Sequence, residues 1–146
     1  MGTAVASDYL ENQLIDHLFR SGTFPKPAGL YVALFTAAPS DAGGGTEVAG
    51  GGYARVNLPP SDTNWQATQG GPVGTSTGTG GRTSNAVTIA FPAASADWGT
   101  ITHYGIFDAA TAGNRLLWDA VTVPRKVLAG DPPIQFTGGT LQITIG

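Results

Sequence analysis

The stretch that decides the fold spans residues 100–123 and reads TITHYGIF, DAATAGN and RLLWDAVTV in succession. Thr100–Phe107 is rich in β-branched and aromatic residues, which favour a strand. Residues 108–114 contain Asp, Gly and Asn, the residue types that form tight turns. Leu116–Val123 is again rich in apolar and β-branched residues. The sequence therefore predicts an antiparallel β-hairpin.

Further short strands are predicted on both sides of this hairpin. Leu30–Phe35 is apolar on both faces, which is typical of a central or covered strand. The other predicted strands are Tyr53–Leu58, Ala86–Phe91, Ile134–Phe136 and Leu141–Ile145. About seven or eight short strands, with turn residues roughly every ten positions, are typical of a sandwich or barrel. We therefore predict a mainly β fold, a jelly-roll-like antiparallel β-sandwich or barrel.

A helical pattern precedes these strands. Apolar residues recur at helical spacing, at Leu10, Leu14, Ile15, Leu18 and Phe19. The pattern predicts one N-terminal α-helix over residues 8–21, capped by Ser7 or Asp8 and ended by Gly22. Residues 1–6 are small, and we expect them to be loose. The predicted organisation is an N-terminal arm and helix over 1–28, followed by a single β-sandwich domain over 29–146.

Two glycine-rich segments interrupt the β pattern. Residues 40–51 read SDAGGGTEVAGG, and we expect a flexible loop there. Residues 59–84 form a long loop, and most of its second half is Gly, Thr, Ser and Pro. A loop of this length in a small domain is usually functional or disordered. It is either a solvated loop or an arm that a partner orders.

The composition excludes several classes of protein. Gly and Pro number 22 and 10 of 146 residues and charged residues are only 12%, which argues against coiled coils and helical bundles. Cysteine is absent, so disulfides and thiolate sites are excluded. The net charge is −3 and no basic cluster is present, so we expect no nucleic acid among the partners. No apolar run reaches the ~18 residues of a membrane span, so we expect no membrane partner.

No group of residues forms a convincing catalytic or metal-binding pattern. A metal site at His103 would require Asp97 and Asp108 to converge on it. We expect His103 instead to be a half-buried strand residue, hydrogen-bonded to backbone or to a neighbouring subunit. A small glycan hydrolase would need two carboxylates in one pocket, but most Asp residues lie in turn contexts. We therefore expect no enzymatic activity, no catalytic residue, no cofactor and no bound metal.

Several segments, taken in this order, resemble a family of small tailed-bacteriophage virion proteins. They are DYLENQLIDHLF over residues 8–19, LYVALFT over 30–36, GGGYARV over 50–56, DWGTITHYGIFDA over 97–109 and GNRLL over 113–117. Members are often labelled tail fibre protein, and related ones look like capsid cement or decoration proteins. The resemblance implies a structural role in the virion without an active site.

Two positions in a virion follow from this resemblance. The first is a capsid cement protein on the outer head surface, a homotrimer bound to the major capsid protein and to neighbouring copies. A single compact domain without elongated shaft repeats favours it. The alternative is a tail-fibre, baseplate or head-fibre adaptor. In both cases the interface candidates are Tyr9, Leu10, Leu14, Leu18, Phe19, Trp65, Arg82, His103 and Tyr104.

Overall fold

The computed structural model describes residues 2–72 and 74–146, and within them it shows a mainly β protein with one helix. The elements are β1 (Val5–Ala6), α1 (Asp8–Phe19), β2 (Tyr31–Ala37), β3 (Thr46–Glu47), β4 (Val56–Asn57), β5 (Arg82–Ser84), β6 (Ile89–Ala90), β7 (Gly99–Phe107), β8 (Arg115–Val127), β9 (Gln135–Phe136) and β10 (Gln142–Thr144). All strand ladders between them are antiparallel. The predicted mainly β class with an N-terminal helix is confirmed, and the strand arrangement is compatible with a jelly roll without establishing one.

The predicted hairpin is the centre of the largest sheet. Strands β7 and β8 pair along nearly their whole length, and β2 pairs with the other edge of β7. The order β1-β8-β7-β2-β3, with β4 also on β2, makes β2 an interior strand, as its apolar residues predicted. The turn at residues 108–114 is closed by Asp108, whose carboxylate accepts the backbone N–H of Asn114 at 2.7 Å. Gly113 in this turn has φ 71°, a conformation that glycine adopts without strain.

Strand β8 carries a large bulge in its second half. Ile101 pairs with Arg125 and His103 pairs with Ala120, so residues 121–124 lie opposite the single residue 102. Such bulges bend a strand and project side chains away from the sheet. Val123, in the bulge, is consequently 74% exposed.

The main core lies between this sheet and two small two-stranded sheets, β5–β10 and β6–β9. Alternation along β2 directs Val32 and Leu34 into this core, and Ala33 and Phe35 to the opposite face. Fully or almost fully buried residues from the small sheets and neighbouring segments complete it, including Ile89, Phe91, Leu141 and Ile143. The second face holds a smaller cluster around Phe35 and Phe107, whose rings stack with centroids 6.3 Å apart.

Asn85 joins the two small sheets. It is fully buried, and its side-chain amide donates to the carbonyls of Val87, Phe136 and Thr137 at 2.8–3.0 Å. Its side-chain oxygen accepts the backbone N–H of Leu141 at 2.9 Å. Every polar atom of this buried side chain therefore has a partner, as buried amides require.

The N-terminal residues are not loose, which corrects the expectation for 1–6 in the described part of that segment. Val5 and Ala6 form β1 and pair with Trp118 and Leu117 of β8. Ala4 is buried, and its N–H donates to the carbonyl of Thr144 at 2.8 Å. The backbone groups on this edge of β8 need hydrogen-bond partners, and the arm provides them.

The two loop predictions also need correction. The 40–51 segment contains β3, which pairs with the end of β2. The 59–84 segment contains β5 and a bridge between Trp65 and Asn85. Within it the Gln69 side chain accepts the N–H of Thr77 and donates to the carbonyl of Thr75, at 2.9 and 3.0 Å. Val73, in the same loop, lies outside the described residues.

Candidate interaction surface

Helix α1 is fixed at its first turn to strand β8. The Ser7 hydroxyl caps the helix by accepting the N–H of Leu10 at 3.2 Å. The same hydroxyl donates to the carbonyl of Arg115, and the Ser7 N–H donates to the carbonyl of Leu116 at 3.0 Å. Ser7 is therefore the N-cap, one of the two residues that the sequence offered. The helix ends at Phe19 because Arg20 adopts an extended backbone.

The chain after the helix folds back along one side of it. Tyr9 packs edge-to-face against Phe24, with ring centroids 6.5 Å apart. The Phe24 N–H donates to Nδ1 of His17 at 3.2 Å. The half-buried helix residues are Tyr9, Leu10, Gln13 and Asp16. The covered side of the helix therefore carries both polar and apolar side chains.

The apolar side of the helix faces outward. Leu14, Ile15, Leu18 and Phe19 are 40%, 50%, 67% and 81% exposed, and we call these four residues the helix patch. No residue of α1 is buried. A surface helix normally turns its apolar stripe toward the core, whereas most of the apolar stripe of α1 faces outward. A contiguous exposed apolar surface of this kind is typical of a contact site for another protein.

A cavity of about 450 Å³ lies at the base of the helix. Its apolar walls include Leu10, Leu30, Trp65, Pro72, Ile106 and Ile143. Trp65 is half-buried, and its indole N–H donates to the carbonyl of Leu58 at 3.0 Å. Leu10 and Trp65, two of the interface candidates, are therefore walls of this cavity rather than projecting contacts.

Tyr104 is an interface candidate from the sequence, and the structure corrects this prediction because it is a core residue. It is fully buried, because it alternates with Ile106 on the face of β7 that packs against the small sheets. Its hydroxyl has no hydrogen-bond partner. Burial raises the pKa of Tyr104 well above its ordinary value, and the charge of Asp119 raises it further. The hydroxyl therefore stays protonated and cannot reach a partner protein.

His103 and Arg82 occupy different environments from each other. His103 is half-buried, as expected, but its Nδ1 lies 2.8 Å from the hydroxyl of Thr102 rather than on a backbone group. Its ring is 6.0 Å from that of Trp118. Arg82 is exposed at the start of β5. Neither residue lies in the helix patch.

A buried arginine that sequence reasoning missed holds the hairpin turn. The Arg55 Nε and Nη2 atoms donate to the two carboxylate oxygens of Glu47, both at 2.8 Å. Nη1 donates to the carbonyls of Ala109 and Ala112 at 2.9 and 2.8 Å. The guanidinium also lies 3.6 Å from the centre of the Phe107 ring. Such bidentate pairing is the strongest form of ion pair that proteins use.

Tyr53 extends this network into the core. Its hydroxyl donates to Glu47 at 2.9 Å and accepts the N–H of Leu34 at 3.0 Å. Burial raises the pKa of Tyr53, so the hydroxyl remains a donor. Glu47 is one of only two glutamates in the chain. The rarity of glutamate makes Glu47 conspicuous in the sequence. Its partners are brought to it by folding, and their spacing in the sequence does not indicate them.

A second buried arginine, Arg115, holds the 40–45 loop. Its Nη2 donates to the carbonyls of Ser40 and Gly43, the latter at 3.1 Å, and its Nη1 to the carbonyl of Gly44 at 3.4 Å. Burial lowers the pKa of Arg115, and the nearby charge of Asp41 opposes that shift. The loop carbonyls thus take the place of water around this cation.

The described residues contain no group of three or more His, Cys, Asp or Glu side chains that could hold a metal ion. The His103, Asp97 and Asp108 hypothesis is therefore not supported by their placement. Asp97 instead accepts the N–H of Ala129 at 3.0 Å. Over the same residues, no helix has the length and apolar character needed to cross a membrane.

The sequence was compared with known proteins and protein families to identify the family to which the chain belongs. No curated protein matches the sequence. Residues 5–144, from β1 through β10, match the model of a family described as Gp80: Podophage GP4 fiber I protein gp80. This agrees with the resemblance to phage virion proteins that the sequence segments indicated. Because this match covers nearly the whole sequence, the chain belongs to the podophage GP4 fiber I protein gp80 family, a bacteriophage structural family of the fibre type.

Proposed function

We propose that this protein is a non-enzymatic structural subunit that the helix patch attaches to a neighbouring subunit of the virion. The observation that carries this proposal is the exposure of the helix patch, four apolar side chains on a helix that has no buried residue. Exposed Leu, Ile and Phe side chains gain free energy when a partner removes them from water, about 25 cal/mol per Å². A structural subunit needs only such a contact surface and no reactive groups.

We favour a position as an adaptor in a tail fibre, baseplate or head fibre. The description of the family as a fibre protein supports this position. A single short helix, fixed at one end to the body, is suited to attachment at one point. The compact β body would then present its loops to whatever the fibre meets.

A capsid cement protein on the outer head surface is the second candidate. It would bind the major capsid protein and neighbouring copies, as a homotrimer. The compact body, which lacks an elongated shaft among the described residues, supports it. Many weak contacts multiplied by the capsid lattice would then give stable attachment.

The copy number per virion separates the two positions. Quantitative mass spectrometry of purified particles, together with electron cryomicroscopy, would measure it directly. A handful to a few dozen copies at the tail or at fibre bases supports the adaptor, and hundreds of copies on the head support the cement protein. Absence from the particle would overturn both.

The role of the helix patch can be tested in the same particles. The double variant Leu18→Glu, Phe19→Glu removes the two most exposed apolar side chains of the patch. Val87→Glu, at an exposed apolar residue outside the patch, is the matched control. We expect loss of incorporation for the first and wild-type incorporation for the second, with both folded by circular dichroism. Equal incorporation of the two variants would contradict the proposal.

A further inference from the structure

We propose that the neighbour bound by the helix patch is a second copy of this chain, which contacts it through the bulge of β8. The inference rests on the proposed function and names its partner. The second surface, here called the bulge patch, consists of Val121, Val123 and Arg125, which line one notch beside the bulge. Charge and shape support the pairing.

The helix patch is apolar with an acidic surround. Asp8 and Glu11 lie in the first turn of the same helix, whereas Asp16 is on its covered side and is paired with Arg20 at 3.2 Å. At 100° per residue, Glu11 falls on the same side of the helix as Leu18 and Ile15. A carboxylate within an apolar surface favours a partner that offers both apolar side chains and a base.

The bulge patch has this complementary character. Val123 is among the most exposed apolar side chains described. Arg125 is also exposed and lines the same notch as Val121 and Val123, while its Nη2 donates to the carbonyl of Pro132 at 3.0 Å. Lys126 pairs with Thr100 and lies on the opposite face of β8. The bulge patch therefore offers exposed apolar side chains and one base.

A notch beside the bulge provides a place for an aromatic ring. Its volume is about 140 Å³, and Ile101, Val121, Val123, Ile134 and Phe136 are among the residues lining it. That volume equals about five water molecules at ~30 Å³ each, which is comparable to one phenyl ring. Phe19, 81% exposed at the end of the helix, is the side chain we expect to fill it.

The two patches on one chain do not contact each other, since Phe19 is 81% and Val123 is 74% exposed. The helix is also held in place at Ser7 and Phe24. The proposed contact therefore joins different copies. It can be reciprocal in a closed dimer, or it can run head-to-tail and close into a ring such as a homotrimer.

Cysteine cross-linking tests the contact even if association is weak. The chain has no cysteine of its own, so Phe19→Cys and Val123→Cys each introduce a single thiol. After the two purified variants are mixed and oxidised, we expect a mixed disulfide dimer on non-reducing gels, at several times the yield from Phe19→Cys mixed with Val87→Cys. Equal yields in the two mixtures would overturn the inference. A predominance of Phe19→Cys homodimers would also overturn it, because it would indicate helix-to-helix pairing.

Charge exchange tests the same contact independently. Glu11→Lys and Arg125→Glu should each weaken association by about two- to fivefold in sedimentation experiments. The variant that carries both changes on one chain should recover wild-type association. In that variant the changed charge on each helix meets the changed charge on the bulge of its neighbour. Failure to recover would contradict the pairing of these two patches.

These outcomes are distinguishable from failure of the proposed function. Suppose that Leu18→Glu, Phe19→Glu abolishes incorporation into virions while the cysteine mixtures give no specific dimer. Attachment through the helix patch then stands, and the partner is a different virion protein. If incorporation is unaffected while the specific dimer forms, self-association stands and attachment through the helix patch does not.

Discussion

Glu47 and Arg55 form a two-pronged ion pair, with both nitrogen–oxygen distances at 2.8 Å, that connects β3 to the segment preceding β4. The Arg55 side chain is largely buried, and its remaining nitrogen binds two carbonyls of the hairpin turn. One side chain therefore fixes three separate segments of the chain. Its loss should affect stability more than the loss of an ordinary surface ion pair.

We expect Arg55→Ala to lower the free energy of unfolding by about 2–4 kcal/mol, because it leaves Glu47 with the Tyr53 hydroxyl as its remaining donor and two turn carbonyls without the donor they have now. Urea denaturation would measure this. Arg82→Ala, at an exposed arginine, is the control and should change stability by less than about 0.5 kcal/mol. Equal effects of the two substitutions would show that the network contributes little.

Asn85→Ala should destabilise the protein by about 3 kcal/mol or more. The substitution leaves the carbonyls of Val87, Phe136 and Thr137 and the N–H of Leu141 without their present partner in a buried place. Thermal unfolding of Asn85→Ala and of Asn12→Ala, an exposed helix residue, would give the comparison. A small effect at Asn85 would mean that water replaces the amide.

Tyr104→Phe should leave stability at pH 7 unchanged or raise it by up to about 1 kcal/mol, because the hydroxyl it removes is buried without a partner. Tyr53→Phe removes a hydroxyl with two hydrogen bonds and should cost about 1–2 kcal/mol. Chemical denaturation of both variants at neutral pH tests this order. The reverse order would contradict the assignment of partners.

The same tyrosines predict a loss of stability in alkali. In the folded state burial raises the pKa of both Tyr53 and Tyr104, whereas the unfolded chain ionises near pH 10. Above about pH 10 the unfolded state loses protons that the folded state keeps, so stability falls as the pH rises. Below about pH 10 these two tyrosines should not make the free energy of unfolding depend on pH. Tyr104→Phe should make the fall between pH 10 and 11 shallower, and an unchanged slope would exclude Tyr104 as a source.

Ser7→Ala should cost about 1–2 kcal/mol, because it removes both the helix cap and the hydrogen bond to the Arg115 carbonyl. Hydrogen exchange would locate the effect. We expect faster exchange at the first turn of α1 and no change at Asn85 or in the β7–β8 ladder. Uniformly faster exchange would indicate that Ser7 supports the whole fold rather than the helix.

The elements predicted well from sequence are those specified by neighbouring residues. The β7–β8 hairpin has its strands and its turn within one continuous stretch, and α1 has both a cap and a periodic apolar stripe. Strands β1, β3 and β5 are only two or three residues long. They exist because distant backbone groups pair with them, so no local pattern marks them.

The exposed residues of the candidate interaction surface were predicted only in part, for the same reason. The helical periodicity identified Leu14, Leu18 and Phe19, but it could not show that their side faces outward, since that depends on where residues 20–30 return. Tyr104 was misassigned because the side of a strand that faces the core depends on pairing and bulges. The Arg55 and Arg115 networks use carbonyls from remote turns, which sequence spacing does not reveal.

The anchoring of α1 at Ser7 lowers the entropy that the helix would lose in the proposed contact. The helix is fixed through β8, through the carbonyl of Asp41, which accepts the Asp8 N–H at 3.1 Å, and through the returning segment at Phe24. Its outer side chains are therefore already held in one orientation before any encounter. Binding then loses little backbone entropy, so even a contact surface of four side chains can give useful affinity. The helix is therefore a preorganised binding element, and not a segment that folds only when it meets its partner.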